Sequence, residues 1–196
     1  MPKVSQEHRD ARREQILAGA KRCFLRNGFQ ATSMQDLFAE SQLSSGSFYR
    51  YFTSKEDVIL AIAEENLGAV TSLIHELATG RHEGGLGEAL SSVLGTVVAR
   101  NRDDQLGAMA VLVWSEALRS PPLRERFTDL LGRIREDLTE LVGREQSAHR
   151  LPSDVDAAAL AKLFLAIVPG AVLQLALFGE RDLDGVPAAA RAVWST

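Results

Sequence analysis

The sequence predicts an all-α protein of about nine helices. Apolar residues recur every three or four positions through most of the 196 residues, which is the spacing of one face of an α-helix. Five of the six prolines lie at the boundaries of these segments, and no segment alternates apolar and polar residues long enough to predict a strand. Hydrophobic residues make up 45% of the chain and charged residues 24%, as in soluble globular domains.

The charge of the chain is distributed unevenly. A net charge of −4 would by itself argue against nucleic-acid binding, because DNA attracts basic surfaces. However, residues 1–55 hold nine Lys/Arg and five Asp/Glu, a net +4, and residues 56–196 carry −8. Two parts of opposite charge predict two roles, in which the N-terminal part meets an anionic partner.

Cysteine content and the apolar stretches indicate a cytoplasmic protein. Cys23 is the single cysteine, so we expect neither an intrachain disulfide nor a cysteine-based zinc site, and we expect no other metal or cofactor. The polar N-terminus lacks the apolar segment of a signal peptide. The most apolar stretch, Leu163–Phe178, is short for a membrane span and is interrupted by Pro169-Gly170 and Gln174, so we expect no membrane contact.

The first helix is predicted from Gln6 to Arg26. Asn27-Gly28 should end it, because glycine adopts the left-handed conformation that closes many helices. One apolar stripe runs along it at helical spacing, formed by Ile16, Leu17, Ala20, Cys23 and Phe24.

Two short helices should follow, joined by a four-residue turn at 41–44. The first lies within Ala31–Glu40, where Thr32 or Ser33 can accept from the free N–H groups and Asp36 suits the first turn. It is too short to persist alone and must be held by packing. A long helix, a short helix, a tight turn and a second short helix have the spacing of a helix-turn-helix.

The second short helix, Ser45–Phe52, has an unusual composition. Three of its first four positions, counting from Ser44, are serine and the other is Gly46, which are mediocre or poor helix formers. Small side chains at a helix N-terminus let another surface approach the backbone, and the free N–H groups there favour phosphate. Tyr49 and Arg50 add hydrogen-bond donors, so this segment is a candidate site for DNA.

From Thr32 to Val58 the chain resembles the N-terminal domain of TetR/AcrR-family transcriptional regulators. The run from Leu43 to Glu56 matches the family signature around its recognition helix. The resemblance covers about residues 8–65. The residues that carry it are Phe24, Gly28, Phe29, Thr32, Asp36, Leu43, Gly46, Tyr49, Tyr51, Phe52, Ser54, Lys55 and Glu56.

The resemblance implies that the second short helix enters the major groove of DNA. Residues 8–65 would be the DNA-binding domain and residues 66–196 an effector-binding and dimerisation domain. Phosphate contacts would set the register, and polar side chains would read base edges. The residues expected to face bases are Ser45, Gly46, Ser47, Tyr49 and Arg50, and those expected near phosphates are Thr32 or Ser33, Lys55, Arg12 and Arg13.

Two positions depart from the family pattern. Gln42 stands in the turn where glycine is common, and a left-handed conformation there would cost about 1 kcal/mol. Phe38 stands where a small residue is usual, which predicts altered packing between the helices of this domain.

The remaining chain is expected to form a helical bundle. Thr53–Asp57 resembles a capping box, and an amphipathic helix should run from Lys55 to Ala78. Further helices are predicted near Leu86–Arg100, Gln105–Arg119, Pro122–Gln146, Ser153–Phe178 and Pro187–Trp194.

We expect the effector pocket to lie among these helices and to be mainly apolar with a few polar groups. Gln174 is a single polar residue in an apolar helix, which fits either a pocket or a hydrogen bond between two subunits. The candidate pocket residues are His75, Met109, Trp114, Glu116, Phe127, Phe164 and Gln174.

The helix from Leu160 to Phe178 is apolar on nearly every side, so both sides should be buried. A second copy of the chain is the simplest cover for the outer side, in an isologous homodimer. Pro169 should kink the helix because it cannot bond to the Leu165 carbonyl. The candidate dimer residues are Leu160, Phe164, Ile167, Val168, Val172, Leu175 and Trp194.

The sequence does not favour either of two other classes of protein. The four histidines form neither of the usual zinc-protease spacings, and no Gly-x-Ser-x-Gly motif is present, so the sequence does not favour an enzyme. A helical protein–protein adaptor, or a small-molecule-binding protein without DNA binding, would not need the Ser/Gly-rich start of the second short helix. We therefore expect a dimeric, ligand-responsive regulator that binds a palindromic operator in double-stranded DNA.

Overall fold

The computed structural model describes residues 6–79 and 85–194, without the side chains of residues 69, 70, 103 and 104. Within these ranges all regular secondary structure is helical, which confirms the predicted all-α class. A short 3₁₀ helix, Glu180–Leu183, lies between the last two α-helices. The α-helices are α1 (Gln6–Asn27), α2 (Met34–Glu40), α3 (Ser45–Phe48), α4 (Lys55–Ala78), α5 (Leu86–Asp104), α6 (Leu106–Arg119), α7 (Pro121–Ser147), α8 (Ala157–Phe178) and α9 (Val186–Val193).

Serine side chains begin three consecutive helices. The hydroxyls of Ser33, Ser44 and Ser54 accept from backbone N–H groups in the first turns of α2, α3 and α4. The predicted extent of α3 is wrong: the helix ends at Phe48 rather than Phe52, and the chain continues as a turn through Tyr51. Serine and glycine propagate a helix weakly, and α3 is held mainly by burial of Phe48.

The N-terminal core is built from more than the first four helices. Phe24, Leu37 and Phe48 are fully buried where α1, α2 and α3 meet. The same cluster includes side chains from the second half of the chain, namely Met109, Val113 and Ala117 of α6 and Leu123 of α7. Helix α6 therefore serves as a wall of the N-terminal core.

A second core lies among α4 to α9. Helix α8 packs against α6 and α7, and α9 packs against α5. At the crossing of α6 and α8, a Cβ added to Gly107 would lie 3.0 Å from the Ala176 nitrogen and 3.2 Å from the Val172 oxygen. The two helix backbones are thus in direct contact at this point, and glycine permits it.

Glu145 joins the end of α7 to the start of α5. Its side chain is buried, and Arg150 donates to both carboxylate oxygens, at 2.9 and 2.6 Å. Gly85 gives α5 no side-chain cap, and the Leu86 N–H bonds to the Glu145 carboxylate instead. The hydrogen bonds from Arg150, assisted by the Leu86 N–H and the charge of Arg144, hold the pKa of Glu145 below its ordinary value.

We expect Glu145→Gln to lower the free energy of unfolding by about 1–3 kcal/mol at neutral pH, because the ionised carboxylate loses its charge-assisted bonds. A lowered pKa stabilises the fold above the unfolded-state pKa, near 4.5, and this stabilisation is lost as the pH falls through the folded-state pKa. The difference between wild type and variant should therefore shrink in acid. Urea unfolding at several pH values measures it.

Glu88→Gln is the matched control for this experiment. Glu88 pairs with Arg191 at 2.8 Å on the same bundle, but both side chains are largely exposed. Exposed pairs contribute little to stability, so this variant should stay within about 0.5 kcal/mol of wild type. Equal effects of the two substitutions at neutral pH would contradict the role assigned to Glu145.

Candidate functional site

The turn between α2 and α3 is held in place by α1. Gln42 has φ +54°, so the left-handed conformation considered from the sequence does occur at a non-glycine residue. Gln15 of α1 donates through Nε2 to the Ser41 carbonyl at 2.7 Å. A Cβ on Gly19 would lie 3.1 Å from the Ser41 nitrogen, so α1 supports this turn through close backbone contact.

Helix α3 presents a polar, exposed face. Ser45, Gly46, Tyr49 and Arg50 are exposed, and Ser47 is half-buried. A Cβ added to Gly46 would have no atom of the chain within 4 Å. The glycine is therefore not required by packing inside the domain, and its small size leaves the outer surface of α3 open to close approach.

Aromatic packing holds Tyr49 in place on this surface. Its ring is 48% exposed, and it meets Phe38 edge-to-face with the ring centroids 5.4 Å apart. Phe38 also contacts the buried ring of Phe48 at 5.0 Å. The bulky residue at position 38 is thus the support on which Tyr49 rests, which is the altered packing that its size predicted.

Arg50 is the cation of this exposed surface and lies in the turn directly after α3. Among the described residues it makes no hydrogen bond or ion pair. In contrast, Arg22 and Arg26 of α1 both pair with Glu40, at 2.7 and 3.0 Å, and their hydrogen bonds lower the pKa of that carboxyl. Part of the N-terminal basic excess is therefore used within the domain, whereas Arg50 remains available to a partner.

The hydroxyls of Thr32 and Ser33 bond within the chain and are not free for the expected phosphate contact. Thr32 is 1% exposed, and its hydroxyl donates to the Gly28 carbonyl at 2.7 Å. Ser33 is exposed, but its hydroxyl bonds to Asp36, whose carboxylate also accepts from the Ser33 N–H at 2.8 Å. These bonds lower the pKa of Asp36, so an anion of the chain itself already occupies the start of α2.

Lys55 also faces inward. Its Nζ donates to the carbonyls of Phe29, Gln30 and Thr32, at 3.0, 3.4 and 2.7 Å, and lies 4.8 Å from the centroid of the Phe29 ring. Three carbonyls use the three donors of an ammonium group. The geometry therefore assigns Lys55 to holding the loop between α1 and α2 rather than to a phosphate contact.

Arg12 and Arg13 lie within α1 and are both half-buried. Arg12 donates to Gln15 Oε1 at 2.7 Å, and Gln15 in turn bonds to the helix-turn-helix turn. The Arg13 guanidinium lies 5.7 Å from the centroid of the Phe52 ring, near the end of the α3 segment. Both arginines thus lie next to the exposed polar face and contact residues that hold it in place. Part of each side chain remains accessible to solvent.

A cavity of about 130 Å³ lies among α4, α5, α6, α7 and α8. Its wall includes Trp114 of α6, Phe127 of α7 and Phe164 of α8. Pro169 lies within α8 and also lines the cavity. An apolar cavity with few polar groups is the usual form of a small-molecule site.

Two family models match this chain. The model of bacterial regulatory proteins of the TetR family matches residues 16–62, which contain α2, α3 and the turn between them. The model of the BetI-type transcriptional repressor C-terminal domain matches residues 87–195, more than half of the chain. The chain belongs to the TetR family of transcriptional regulators.

Individual proteins agree with this family assignment. The HTH-type transcriptional regulator YfiR of Bacillus subtilis is 29% identical over 189 residues, covering 93% of this chain and 89% of YfiR. GusR of Salmonella enterica superposes with a TM-score of 0.77 at 27% identity, covering 99% of this chain and 97% of GusR. FadR of Bacillus subtilis, solved with stearoyl-CoA, shares the fold with a TM-score of 0.74 at 16% identity, covering 92% and 96%.

This TetR-family chain is a DNA-binding transcriptional regulator, and members of this class are not enzymes. The adaptor alternative is not favoured. The exposed face of α3 lies within the segment matched by the TetR model, and the cavity-lining residues of α5 to α8, except Leu86, lie within the segment matched by the C-terminal model.

Of the seven candidate pocket residues, Trp114, Phe127 and Phe164 line the cavity. Met109 belongs to the N-terminal core, and Glu116 accepts from Gln30 Nε2 in the loop after α1 at 2.7 Å, so both face the N-terminal domain rather than the cavity. His75 is exposed beside Asp137, with 3.2 Å between Nδ1 and the carboxylate. Gln174 is exposed on the outer side of α8. Those four are therefore corrected: they lie outside the cavity.

The candidate dimer residues lie on the side of α8 that faces the bundle. Phe164, Val172 and Leu175 are buried in the bundle, and Trp194 packs edge-to-face on Phe164 with 5.3 Å between ring centroids. The other candidate dimer residues, Leu160, Ile167 and Val168, also pack against the bundle core. The exposed apolar residues of α8 are Leu163, Leu173, Leu177 and Phe178.

The sequence could not distinguish the two sides because α8 is apolar on both. Its length and composition would also allow it to cross a membrane, but one side packs against α6 and α7. Gln174 lies on the outer side with the four exposed residues, which favours the second of its two interpretations, a polar contact between subunits.

Asn66 is a cavity residue that the sequence interpretation missed. It lies on α4, three and seven positions after Ala63 and Ile59, on the face that those apolar residues define. A polar residue on an otherwise apolar helix face is the signal that could have revealed it.

Proposed function

We propose that the chain is a cytoplasmic repressor that binds a palindromic operator as a homodimer and leaves it when a small molecule enters the cavity. The observation that carries the proposal is the exposed face of α3, where Gly46 leaves the surface open and Tyr49 and Arg50 provide donors. Arginine commonly reads guanine in the major groove.

The exposed apolar side of α8 supports the homodimer. Four large apolar side chains on one helix would stay in water in a monomer, and an isologous contact would cover both copies at once. Two-fold symmetry would then place two α3 helices in successive major grooves, about 34–36 Å apart.

Two contacts support communication between the cavity and the DNA-binding domain. The Gln30–Glu116 hydrogen bond joins the loop after α1 to α6, and Arg126 of α7 donates to Asp57 of α4 at 3.0 Å. Trp114 lines the cavity one position after Val113, which belongs to the N-terminal core. A ligand that moves α6 or α4 would therefore alter the separation of the two α3 helices and favour the state released from DNA.

Selection of bound DNA from a random pool, without added ligand, tests this function. We expect the full-length chain to recover an inverted repeat with half-sites one helical turn apart. Affinity for that sequence should fall steeply with salt, because phosphate contacts release counterions. Recovery of no sequence, or of an asymmetric half-site bound by a monomer, would contradict the proposal.

A further inference from the structure

We propose that the effector is a compact, uncharged, mainly hydrocarbon molecule with one hydrogen-bond acceptor, and that Asn66 donates to that acceptor. The inference rests on the proposed function, because it assigns a ligand class to the same cavity. Three features of the cavity carry it: the chemistry of the wall, its volume, and the hydrogen bonds around Asn66.

The wall of the cavity excludes ions. Within the described part of the chain, no Asp, Glu, Lys, Arg or His lines it, and Asn66 and the Trp114 indole provide the polar side-chain groups. A buried charge without a partner is very costly, and several unpaired hydroxyls are also unfavourable. Carboxylates, ammonium ions and sugars would therefore lose their hydration without compensation at this site.

The volume limits the size of the ligand. The cavity measures about 130 Å³, and an apolar cavity of about 150 Å³ in another protein holds benzene. One ring with a small substituent matches this space, whereas a long acyl chain would exceed it. The wall and volume together select a compact apolar body.

Hydrogen bonds from Arg100 orient Asn66. The Arg100 guanidinium of α5 donates to the backbone carbonyls of Glu65 and Asn66, at 3.0 and 3.1 Å, and to Asn66 Oδ1 at 3.5 Å. Because the side-chain oxygen is the acceptor for Arg100, the amide nitrogen is the group left to donate. It bonds to no atom of the described residues, so it can serve a carbonyl, ether or hydroxyl oxygen of a ligand.

Asn66 also lies near a bend in α4. The axes of Lys55–Gly68 and Thr71–Ala78 differ by 45°, and Arg100 contacts the carbonyls just before this change of direction. A ligand bound to Asn66 would thus contact α4 just before the helix changes direction, a few residues after Ala63, which belongs to the N-terminal core.

Four ligands with a common ring test the inference by calorimetry on the full-length protein. Acetophenone carries one acceptor, cumene is its hydrocarbon analogue, benzoate is an anion, and 1-phenylethylammonium is a cation. We expect acetophenone to bind about 3- to 10-fold more tightly than cumene, because of one net hydrogen bond. Both ions should bind at least about 100-fold more weakly.

Asn66→Leu should abolish the preference for acetophenone over cumene while cumene still binds. Asn27→Leu is the matched control, since it makes the same change at an exposed residue at the end of α1, outside the cavity, and should leave the preference unchanged. Thermal unfolding of both variants verifies the fold. Tighter binding of either ion, an unchanged preference in Asn66→Leu, or no binding of any of the four ligands would overturn the inference.

Operator binding separates this inference from the proposed function. If the chain selects an inverted repeat but prefers the ions, only the ligand assignment fails. If acetophenone binds as expected but no operator is selected, the proposed function fails and the chemistry of the cavity stands.

Discussion

Gly46→Glu is expected to weaken operator binding at least about 100-fold while the protein remains folded. An added side chain at position 46 meets no atom of the chain within 4 Å, and a carboxylate is favourable in the first turn of a helix. Folding is therefore tolerant of the change. On DNA, the same carboxylate would sit between α3 and a polyanion in both half-sites. Fluorescence anisotropy with the selected operator measures the loss.

Gly95→Glu is a matched control for this substitution. Gly95 is an exposed glycine within α5, and a Cβ there also has no neighbour within 4 Å. The variant adds the same side chain and the same charge at a distance from α3, so operator affinity should change little. If the two variants lost equal affinity, net charge rather than the α3 surface would be responsible.

Leu177→Glu is expected to convert the protein from dimer to monomer and to weaken operator binding at least about 100-fold. Leu177 is 65% exposed on the outer side of α8, next to Phe178. In a symmetric contact each copy would bury an introduced carboxylate, which is costly without a partner. A monomer can bind only one half-site, so it loses the additional affinity that a dimer gains by binding both half-sites at once. Sedimentation and anisotropy measure the two effects.

Leu118→Glu controls for the loss of an exposed leucine. Leu118 is 77% exposed near the end of α6, eleven residues along that helix from Gly107, where α6 meets α8 at Ala176 beside Leu177. We expect this variant to remain dimeric and to bind operator normally. A dimer that persists in Leu177→Glu would place the subunit contact elsewhere on the chain.

Local patterns allowed most of the fold to be predicted. Helical spacing gave the number of helices, and the serine caps at Ser33, Ser44 and Ser54 are signals that act within three or four residues. The exposed face of α3 was also predictable, because its Ser/Gly composition is unfavourable for a helix that only fills space.

Side-chain direction was less predictable, because it depends on distant partners. Thr32 turns to a carbonyl of its own loop, and Lys55 reaches three carbonyls across a gap of more than twenty residues. Helix α8 is apolar on both sides, so only the position of α6 and α7 decides which side is inside. Asn66 was missed because its role depends on Arg100, thirty-four residues later.

The position of α6 also bears on how such a protein can be divided or recombined. A fragment ending at residue 65 would lack Met109, Val113 and Ala117, and the faces of α1 and α4 that they cover would be open to water. Such a fragment should aggregate or unfold rather than bind DNA as an isolated domain. A chimera with another protein's effector-binding domain would need to retain α6 and the start of α7. Otherwise the residues that replace them would have to pack equally well against the N-terminal core. Substitutions in the N-terminal core and in the part of α6 that packs against it should therefore be coupled during evolution.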